Sequence, residues 1–304
     1  MDLKNEDLPD AWLVNYNKYL RDVVGAATTT CVRHSQVVQR FIDVCYEGGW
    51  SHLSIERVTE FIREDTASKK GYGRRAPACA IRSFLRFLAW SGVVPSGLDR
   101  AVPRLRLPRH ASLPPHLSPE QLARLLDRAK TAGAAARRDR AILLLLARLG
   151  LRAAEIVALD VDDIDWRTGL LRIAAGKSRR ERVLPLPHEV GEALADYVQH
   201  DRPSSSSRGL FFTRGNPPRT LRNPTAITRI VKRRLVCAGI PLGRLTGAHM
   251  LRHTVATRMV NNGASLREVA DLLGHQCLKT TAIYAKLDLE TLARVALPWI
   301  GGER

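Results

Sequence analysis

No apolar run in the chain is long enough to cross a membrane. A membrane-spanning helix needs at least ~18 consecutive apolar residues, and the sequence has no such stretch. The chain begins MDLKNEDLPD, which lacks the apolar core of a signal peptide. Internal repeats and long disordered tails are also lacking. We therefore expect a soluble, cytoplasmic protein with no membrane partner.

Cysteine is scarce and scattered. The chain has five cysteines, an odd number, and no two of them form a Cys-x-x-Cys pair. They are Cys31, Cys45, Cys79, Cys237 and Cys277. This pattern argues against both a disulfide framework and a cysteine-rich zinc site, so we expect reduced and mostly buried thiols.

Acidic residues are too few to balance the basic ones. Lysine and arginine number 48 against 30 aspartates and glutamates, which gives a net charge of +18 and a pI near 10.5. An excess of this size attracts polyanions, of which nucleic acid is the commonest, although solubility alone could also explain it. Because each neutralised phosphate releases counterions, binding to DNA should weaken steeply with salt.

The length and the prolines divide the chain. At roughly 100–200 residues per domain, 304 residues suggest two domains. Apolar residues at three- and four-residue spacing predict four helices, at 11–24, 30–47, 54–66 and 74–91. Six prolines and four arginines between Pro95 and Pro119 predict an extended connector. We place the first domain at 1–100, the linker at 101–117 and the second domain, with a C-terminal tail helix, at 118–304.

The second domain reads as helices around a small sheet. An apolar helix, RAILLLLARLG, ends at Gly150, and residues 161–187 alternate and turn like a three-stranded antiparallel sheet. A short strand, GLFFTR at 209–214, and a helix at 223–237 follow. The expected fold is mainly α with a small antiparallel β-sheet.

Basic residues that could contact DNA occur in both domains. Any one of these residues could equally be a solvated surface charge, so it is the number of them together that indicates DNA binding. The candidates are Arg33, Arg40, Lys69, Lys70, Arg74, Arg75, Arg82, Arg86, Arg179, Arg180, Lys232 and Arg233.

A cationic constellation lies between residues 246 and 286. His249, Arg252 and His253 are spaced to share one face of a helix, and a second helix, capped by Ser265, leads to His275. Nine residues later comes Tyr284. Such a cluster, with a hydroxyl group and no carboxylate nearby, suits a phosphate.

These residues are compatible with two other chemistries. The histidines could bind zinc, but Met250 stands where an HExxH helix has glutamate, and Arg252 would repel a dication. Cys277 lies two residues after His275, but nothing else supports a cysteine nucleophile. We expect no metal site.

Five motifs, in order, resemble the catalytic boxes of tyrosine recombinases, the phage-integrase and Xer-type family. They are GLRAAE (150–155), GKSRRERVLPL (176–186), HMLRH (249–253), LLGH (272–275) and Tyr284. The helical first domain resembles the core-binding domain of that family, and the second its mixed α+β catalytic domain. The resemblance is to a simple, Xer-like two-domain type without an arm-binding domain.

The resemblance implies a role for each residue of the constellation. Tyr284 would be the nucleophile, and Arg152 and Arg252 would hold the phosphate. The same match adds Lys177, His249 and His275 to the catalytic set, with Glu155 supporting the first arginine. His253 is either catalytic or a packed neighbour of the site.

Elementary chemistry agrees with these roles. Tyrosine attack on a phosphodiester builds negative charge that two arginines can stabilise without a metal. A phenol of pKa ~10 needs a proton acceptor, which a histidine can be. A phosphotyrosine ester conserves the bond energy, so rejoining should need neither ATP nor a cofactor.

The function expected is site-specific DNA recombination through a 3′-phosphotyrosine intermediate, for a mobile element as an integrase or transposase-like enzyme. The partners would be two duplex DNA sites and three further copies of the chain, in a homotetramer that forms on DNA from monomers or weak oligomers. Three alternatives stay open: an Xer-type resolver of chromosome dimers, a type IB topoisomerase and a DNA-binding relative without catalysis.

Overall fold

A computed structural model of the chain describes residues 9–47, 49–69, 71–103, 114–131, 136–175, 181–243, 246–275 and 281–287. Contacts separate it into two compact units, Met1–Arg109 and His110–Arg304. Several predicted features lie outside the described residues, namely Lys70, Lys177, Arg179, Arg180, Cys277 and the tail helix that follows Tyr284.

Among the residues described in the first unit, four α-helices pack around an aromatic core. They are α1 (Pro9–Asp22), α2 (Thr28–Cys45), α3 (Ile55–Ala67) and α4 (Arg75–Trp90). Trp12 and Trp50 meet edge to face with ring centroids 6.1 Å apart, and Phe41 meets Phe61 in the same way at 5.0 Å. The four-helix prediction for this part of the chain is confirmed.

The segment after α4 corrects the prediction of a wholly extended connector. Leu98–Ala101 forms a 3-10 turn. Asp99 in this turn accepts a hydrogen bond from Arg86 at 2.8 Å, and Arg82 donates to the backbone carbonyls of Val102 and Pro103. These arginines of α4 hold the start of the segment in place, an effect that proline content alone does not predict.

The second unit surrounds a small sheet with seven helices in the part of the chain that the structure describes. The helices are α5 (Pro119–Thr131), α6 (Ala136–Arg148), α7 (Ala153–Ala158), α8 (His188–His200), α9 (Pro224–Cys237), α10 (Ala248–Asn261) and α11 (Leu266–Leu273), and a 3-10 segment, Ala282–Leu287, follows them. The strands β1 (Ile164–Asp165), β2 (Leu170–Ile173) and β3 (Arg182–Pro185) pair antiparallel in that order, with Leu171 opposite Leu184. The mainly α fold with a small antiparallel sheet is confirmed.

The apolar helix α6 lies at the centre of this unit. Every residue from Ala141 to Ala147 is buried, as its composition predicts. Full burial of one leucine side chain contributes about 1.5–3 kcal/mol, so this helix is a large share of the core. Its end leads directly into Gly150 and Arg152, which gives these residues a fixed backbone.

Two smaller predictions need correction. Residues 209–214 form no sheet strand and make only isolated bridges, Gly209 with Asp160 and Phe212 with Thr220. Leu210, Phe211 and Phe212 are all buried, so the segment lacks the alternation of a half-exposed strand. Cysteine burial also differs from the prediction, since Cys31 and Cys45 are buried, Cys79 is half-buried and Cys237 is exposed.

Candidate active site

Helix α10 supplies three of the predicted site residues. It runs from Ala248 to Asn261 without glycine or proline, so the spacing of three and four puts His249, Arg252 and His253 close together. His249 is exposed, His253 is half-buried and Arg252 is buried. The histidine ring centroids lie 6.5 Å apart. The face of α10 that carries these three residues is therefore exposed at His249 and buried at Arg252.

Arg252 is fixed by backbone carbonyls from two helix ends. It donates to the carbonyl of Gly150 at 2.6 Å, just after α6, and to the carbonyl of Leu273, the last residue of α11. The last carbonyls of a helix lack partners within it and carry partial negative charge, so they suit a guanidinium. Burial, and then the charge of Arg152, lower the pKa of Arg252. The guanidinium stays charged at neutral pH because its ordinary pKa is so high.

Arg152 is held at the start of α7 by its own helix. Its backbone N–H donates to Glu155 Oε2 at 2.8 Å, and its Nη1 donates to Glu155 Oε1 at 2.7 Å. Its Nη2 reaches the carbonyl of Gly274 at 3.1 Å. Hydrogen bonds from both Nη atoms thus fix the orientation of the guanidinium before any DNA binds.

Sequence reasoning missed Arg182, the first residue of β3. Its Nη1 and Nη2 donate to the two carboxylate oxygens of Glu155 at 3.1 and 2.9 Å. Burial alone would raise the pKa of Glu155, but hydrogen bonds from Arg182 and Arg152 outweigh it and hold the pKa at about 2. Arg182 lies within the motif GKSRRERVLPL, in a run of basic residues where no spacing distinguishes one arginine from another.

A left-handed turn after α11 brings the next group into the site. A capping box between Ser265 and Glu268 starts that helix, and Gly274, with φ of 60°, ends it. His275 follows, and its Nδ1 is hydrogen-bonded to the Thr281 hydroxyl at 2.8 Å. Burial, with the charge of Arg252 adding to it, lowers the pKa of His275 to about 4. The ring is therefore neutral at neutral pH.

The predicted nucleophile, Tyr284, is buried. It lies in the 3-10 segment, with 1% of its surface exposed, and packs with Ala256, Val260, Val269 and Leu273. Its hydroxyl is hydrogen-bonded to His253 Nδ1. Burial raises the pKa of Tyr284 to about 12, although the charge of Arg252 opposes the rise. Deprotonation of the phenol therefore requires an acceptor close at hand.

His253 is the group in contact with this phenol, and its ring is neutral at neutral pH. Burial first, and then its neighbours His249 and Arg252, lower the pKa of His253 to about 4. A neutral ring with its proton on Nε2 offers a lone pair on Nδ1 to the phenol O–H. Sequence reasoning left the role of His253 open between catalysis and packing. The direct contact with Tyr284 is the observation that bears on this choice.

The structure thus brings together most of the predicted set. Arg152, Arg252 and His275 surround the turn at Gly274, while Tyr284 contacts His253. Among the described residues no group of three or more histidines, cysteines or carboxylates could hold a metal ion. Nor does any helix in the described ranges have the length and apolarity to cross a membrane.

Several candidate DNA contacts have partners within the chain. Arg40 pairs with Asp65 at 2.9 Å, and Arg233 pairs with the fully buried Asp139 at 2.5 Å. Such pairs also include Lys69 with Asp65 and Arg86 with Asp99. The candidates Arg33, Arg74, Arg75 and Lys232 are exposed. The paired Arg40, Arg86 and Arg233 are exposed as well, so their ion pairs do not separate them from the other candidates.

The depressed histidine pKa values predict acid sensitivity. Between about pH 6.5 and about 4, the unfolded chain binds protons on His253 and His275 that the folded chain excludes. The free energy of unfolding should therefore fall as the pH falls through this window. Urea titrations at several pH values test this for the wild type and for a His253→Gln/His275→Gln variant. The variant lacks these two histidines, so it should lose less stability across the window than the wild type. Carboxylates titrate alike in both proteins and cancel in the comparison. Equal losses in the two proteins would contradict the prediction.

The chain is similar in sequence to known proteins. Residues 115–290 match the phage integrase family. A protein of Sinorhizobium fredii (strain NBRC 101917 / NGR234) named as integrase/recombinase y4rF is 40% identical over 300 residues, which cover 97% of this chain and 71% of that protein. Tyrosine recombinase XerA of Thermococcus onnurineus (strain NA1) is 31% identical over 283 residues, with 92% of each chain covered.

Solved structures share the fold at lower identity. XerH site-specific recombinase in a pre-cleavage complex with its difH substrate has a TM-score of 0.73 at 17% identity, with 97% of this chain and 98% of that chain covered. The Tn1549 transposon integrase in complex with a circular intermediate DNA has a TM-score of 0.69 at 16% identity, with 94% and 99% covered. At these identities the likeness establishes the architecture alone.

Proposed function

Because the chain belongs to the phage integrase family of tyrosine recombinases, we propose that it cuts and rejoins DNA at specific sites through a 3′-phosphotyrosine intermediate. The observation that supports this best is the contact between the Tyr284 hydroxyl and His253, beside two arginines that are held rigidly by backbone carbonyls. We assign Tyr284 as the nucleophile, His253 as the proton acceptor and the two arginines as the phosphate-binding site, and this contact supports the assignment.

In the proposed reaction the Tyr284 oxygen attacks the scissile phosphorus. The P–O5′ bond breaks as the tyrosine–phosphorus bond forms, so the DNA 3′ phosphate becomes attached to the protein and a 5′ hydroxyl is released. His253 accepts the phenol proton. Reversal by the 5′ hydroxyl of another strand restores the phosphodiester, and the number of such bonds is conserved without ATP.

The arginines stabilise the charge that develops on the nonbridging oxygens. Arg152 and Arg252 each keep part of their fork for the phosphate, and their fixed orientation means that little reorganisation is needed in the transition state. His249 and His275 are proposed to donate hydrogen bonds to the same oxygens. Lys177, which lies outside the described residues, is proposed to protonate the departing 5′ oxygen.

A nicked suicide substrate tests this reaction. Cleavage beside the nick releases a short oligonucleotide, so rejoining stops and the covalent complex accumulates on a denaturing gel. We expect an adduct in the presence of a chelator and without ATP. A protein that binds the substrate but forms no adduct would be a DNA-binding relative without catalysis. Joining of two separate DNAs would then distinguish a recombinase from a topoisomerase that relaxes one duplex.

We propose that the biological role is mobile-element integration or transposition. The relative named as integrase/recombinase is 40% identical to this chain and the Xer relative is 31% identical, which supports this choice over resolution of chromosome dimers. Sequencing the DNA that flanks the gene tests it, because an element would have defined ends there. A conserved chromosomal setting with no such ends would favour the Xer-type role.

We further propose a division of labour along the chain. Residues 1–100 would bind DNA as a core-binding domain, residues 101–117 would link it, and residues 118–304 would carry the catalytic site in the cytoplasm. Two duplex sites would be joined by a homotetramer that assembles on DNA from monomers or weak oligomers. Residues 1–100 have 14 lysines and arginines against 12 acidic residues, so most of the net charge of +18 lies in residues 101–304 and supports DNA binding by that part.

The tail is proposed to link neighbouring protomers in that tetramer. Residues 289–300, LETLARVALPWI, place Leu289, Leu292, Val295 and Ala296 at helical spacing, which predicts an apolar stripe that something must cover. Docking on a neighbouring copy is a head-to-tail contact that could close a ring of four. Packing on its own domain is the alternative.

Deletion of residues 289–304 distinguishes these two. The truncated protein should still bind a half-site, but it should lose cooperative binding to a full site and strand exchange. Gel-shift titration and a recombination assay, run side by side, measure both properties. Normal assembly and recombination by the truncated protein would indicate that the tail covers only its own core.

A further inference from the structure

Glu155 has two arginine partners, although fixing the start of α7 needs only one. Arg152 donates to it through its backbone N–H and Nη1, and Arg182 binds both carboxylate oxygens with its guanidinium fork. The side chains of Glu155 and Arg182 are 9% and 12% exposed, so water screens their interaction only weakly.

The two arginines share the charge of Glu155 unequally. A carboxylate bound to a single arginine forms a neutral pair, and an arginine in such a pair attracts a phosphate less strongly. Here Arg182 makes the two-oxygen contact, while Arg152 Nη1 binds Oε1 alone. Two-oxygen contacts between arginine and carboxylate are the stronger kind. Arg182 is therefore the arginine that mainly neutralises Glu155.

We infer that Arg182 is a positioning residue that neutralises Glu155 and so leaves the positive charge of Arg152 available to the scissile phosphate. The inference rests on the proposed function, because it concerns the cleavage step. With Arg182 present, the guanidinium groups of Arg152 and Arg182 bind Glu155 directly, and that of Arg252 adds a third positive charge that interacts with the carboxylate. Without it, Glu155 would pair with Arg152 alone and cancel half of the charge that remains for the phosphate.

The position of Arg182 is constrained from a second side. A Cβ atom at Gly274 would lie 2.8 Å from Arg182 Nη1, so the guanidinium fills the space that this glycine leaves. Arg182 Nε is buried and, within the described part of the chain, has no hydrogen-bond partner. An unpartnered buried donor costs free energy, so a role for Arg182 only in stabilising the packing of β3 explains this placement poorly. A charge placed between Glu155 and the Gly274 turn accounts for it.

Three variants separate charge compensation from a general structural role. Arg182→Met removes the charge, Arg182→Lys keeps it, and Glu155→Gln removes the charge that Arg182 neutralises. The measurement is the single-turnover rate of adduct formation on the nicked suicide substrate at saturating protein, so that DNA affinity does not enter. We expect Arg182→Met to lower this rate about tenfold to a hundredfold, and Arg182→Lys to lower it less than about tenfold.

The double variant Arg182→Met/Glu155→Gln gives the decisive result. If Arg182 acts by neutralising Glu155, the double variant should cleave faster than Arg182→Met and about as fast as Glu155→Gln alone. If the two single losses multiply instead, the arginine acts independently of the carboxylate and the inference is overturned. Should Arg182→Met fail to fold in a thermal melt, Arg182→Lys decides: slow cleavage by that folded protein overturns the inference as well.

A matched control removes another arginine from the same sheet. Arg172 in β2 pairs with the buried Asp163 at 3.1 Å, so Arg172→Met also breaks an arginine–carboxylate contact but leaves Glu155 untouched. Its cleavage rate should stay within about twofold of wild type. The wild type and this control report on the proposed function itself: an adduct in their lanes with no Arg182 effect would refute the inference alone.

Discussion

Tyr284→Phe should abolish the covalent protein–DNA adduct and leave DNA binding unchanged. The substitution removes one oxygen, and with it the only atom that could form the phosphotyrosine bond. The ring should keep its packing against Ala256, Val260 and Leu273, because phenylalanine has nearly the same shape. Loss of the hydrogen bond to His253 costs about 0.5–1.5 kcal/mol of stability, which the fold should tolerate.

A second tyrosine in the same unit provides the matched control. Tyr197 is also buried, and its hydroxyl accepts a hydrogen bond from the Phe212 backbone N–H at 3.2 Å. Tyr197→Phe thus removes a buried hydroxyl away from the site, and its adduct should form as in the wild type. Adduct formation by Tyr284→Phe on a denaturing gel would refute the nucleophile assignment.

Replacing either arginine of the site by alanine should slow cleavage severely. Loss of one donor to a developing oxyanion costs about 2.7–4 kcal/mol, or about a hundredfold to a thousandfold in rate, and loss of a full charge costs more. We expect losses of at least this size for both Arg152→Ala and Arg252→Ala. Single-turnover cleavage at saturating protein measures the effect apart from binding.

The two variants should differ in stability. Arg252 is 5% exposed and donates to the carbonyls of Gly150 and Leu273, so its removal leaves buried acceptors unpaired and should also destabilise the fold. Arg152 is more exposed, and its removal leaves Glu155 still bound to Arg182. The control is Arg148→Ala, which breaks the partly exposed pair with Glu189. Folded Arg152→Ala or Arg252→Ala protein that cleaves within tenfold of the Arg148→Ala rate would rule out the phosphate role.

The helices of the site were predictable because their signals are local. Ser265 with Glu268 and Gly274 mark the ends of α11, and the spacing of His249, Arg252 and His253 predicts a common helix. Spacing alone does not predict how deeply each side chain is buried. A helical period states which residues share a face, whereas burial of Arg252 beside an exposed His249 depends on what packs against that face.

The partners of the site residues were not predictable, because they come from distant parts of the chain. Arg252 and the carbonyl of Gly150 are 102 residues apart, and His253 and Tyr284 are 31 apart. A backbone carbonyl has no sequence signature, and Arg182 is one of several arginines in its motif. Residues 209–214 show the converse, since a strand-like composition there serves burial rather than sheet pairing.

The chemical identity of the covalent bond tests the proposed mechanism most directly. Wild-type protein trapped on the nicked suicide substrate, with chelator and without ATP, would be digested by protease and nuclease and analysed by mass spectrometry. We expect a single modified peptide in which the Tyr284 oxygen carries a nucleotide through its 3′ phosphate. Attachment through a 5′ phosphate, attachment to any other side chain, or a requirement for metal would contradict the mechanism.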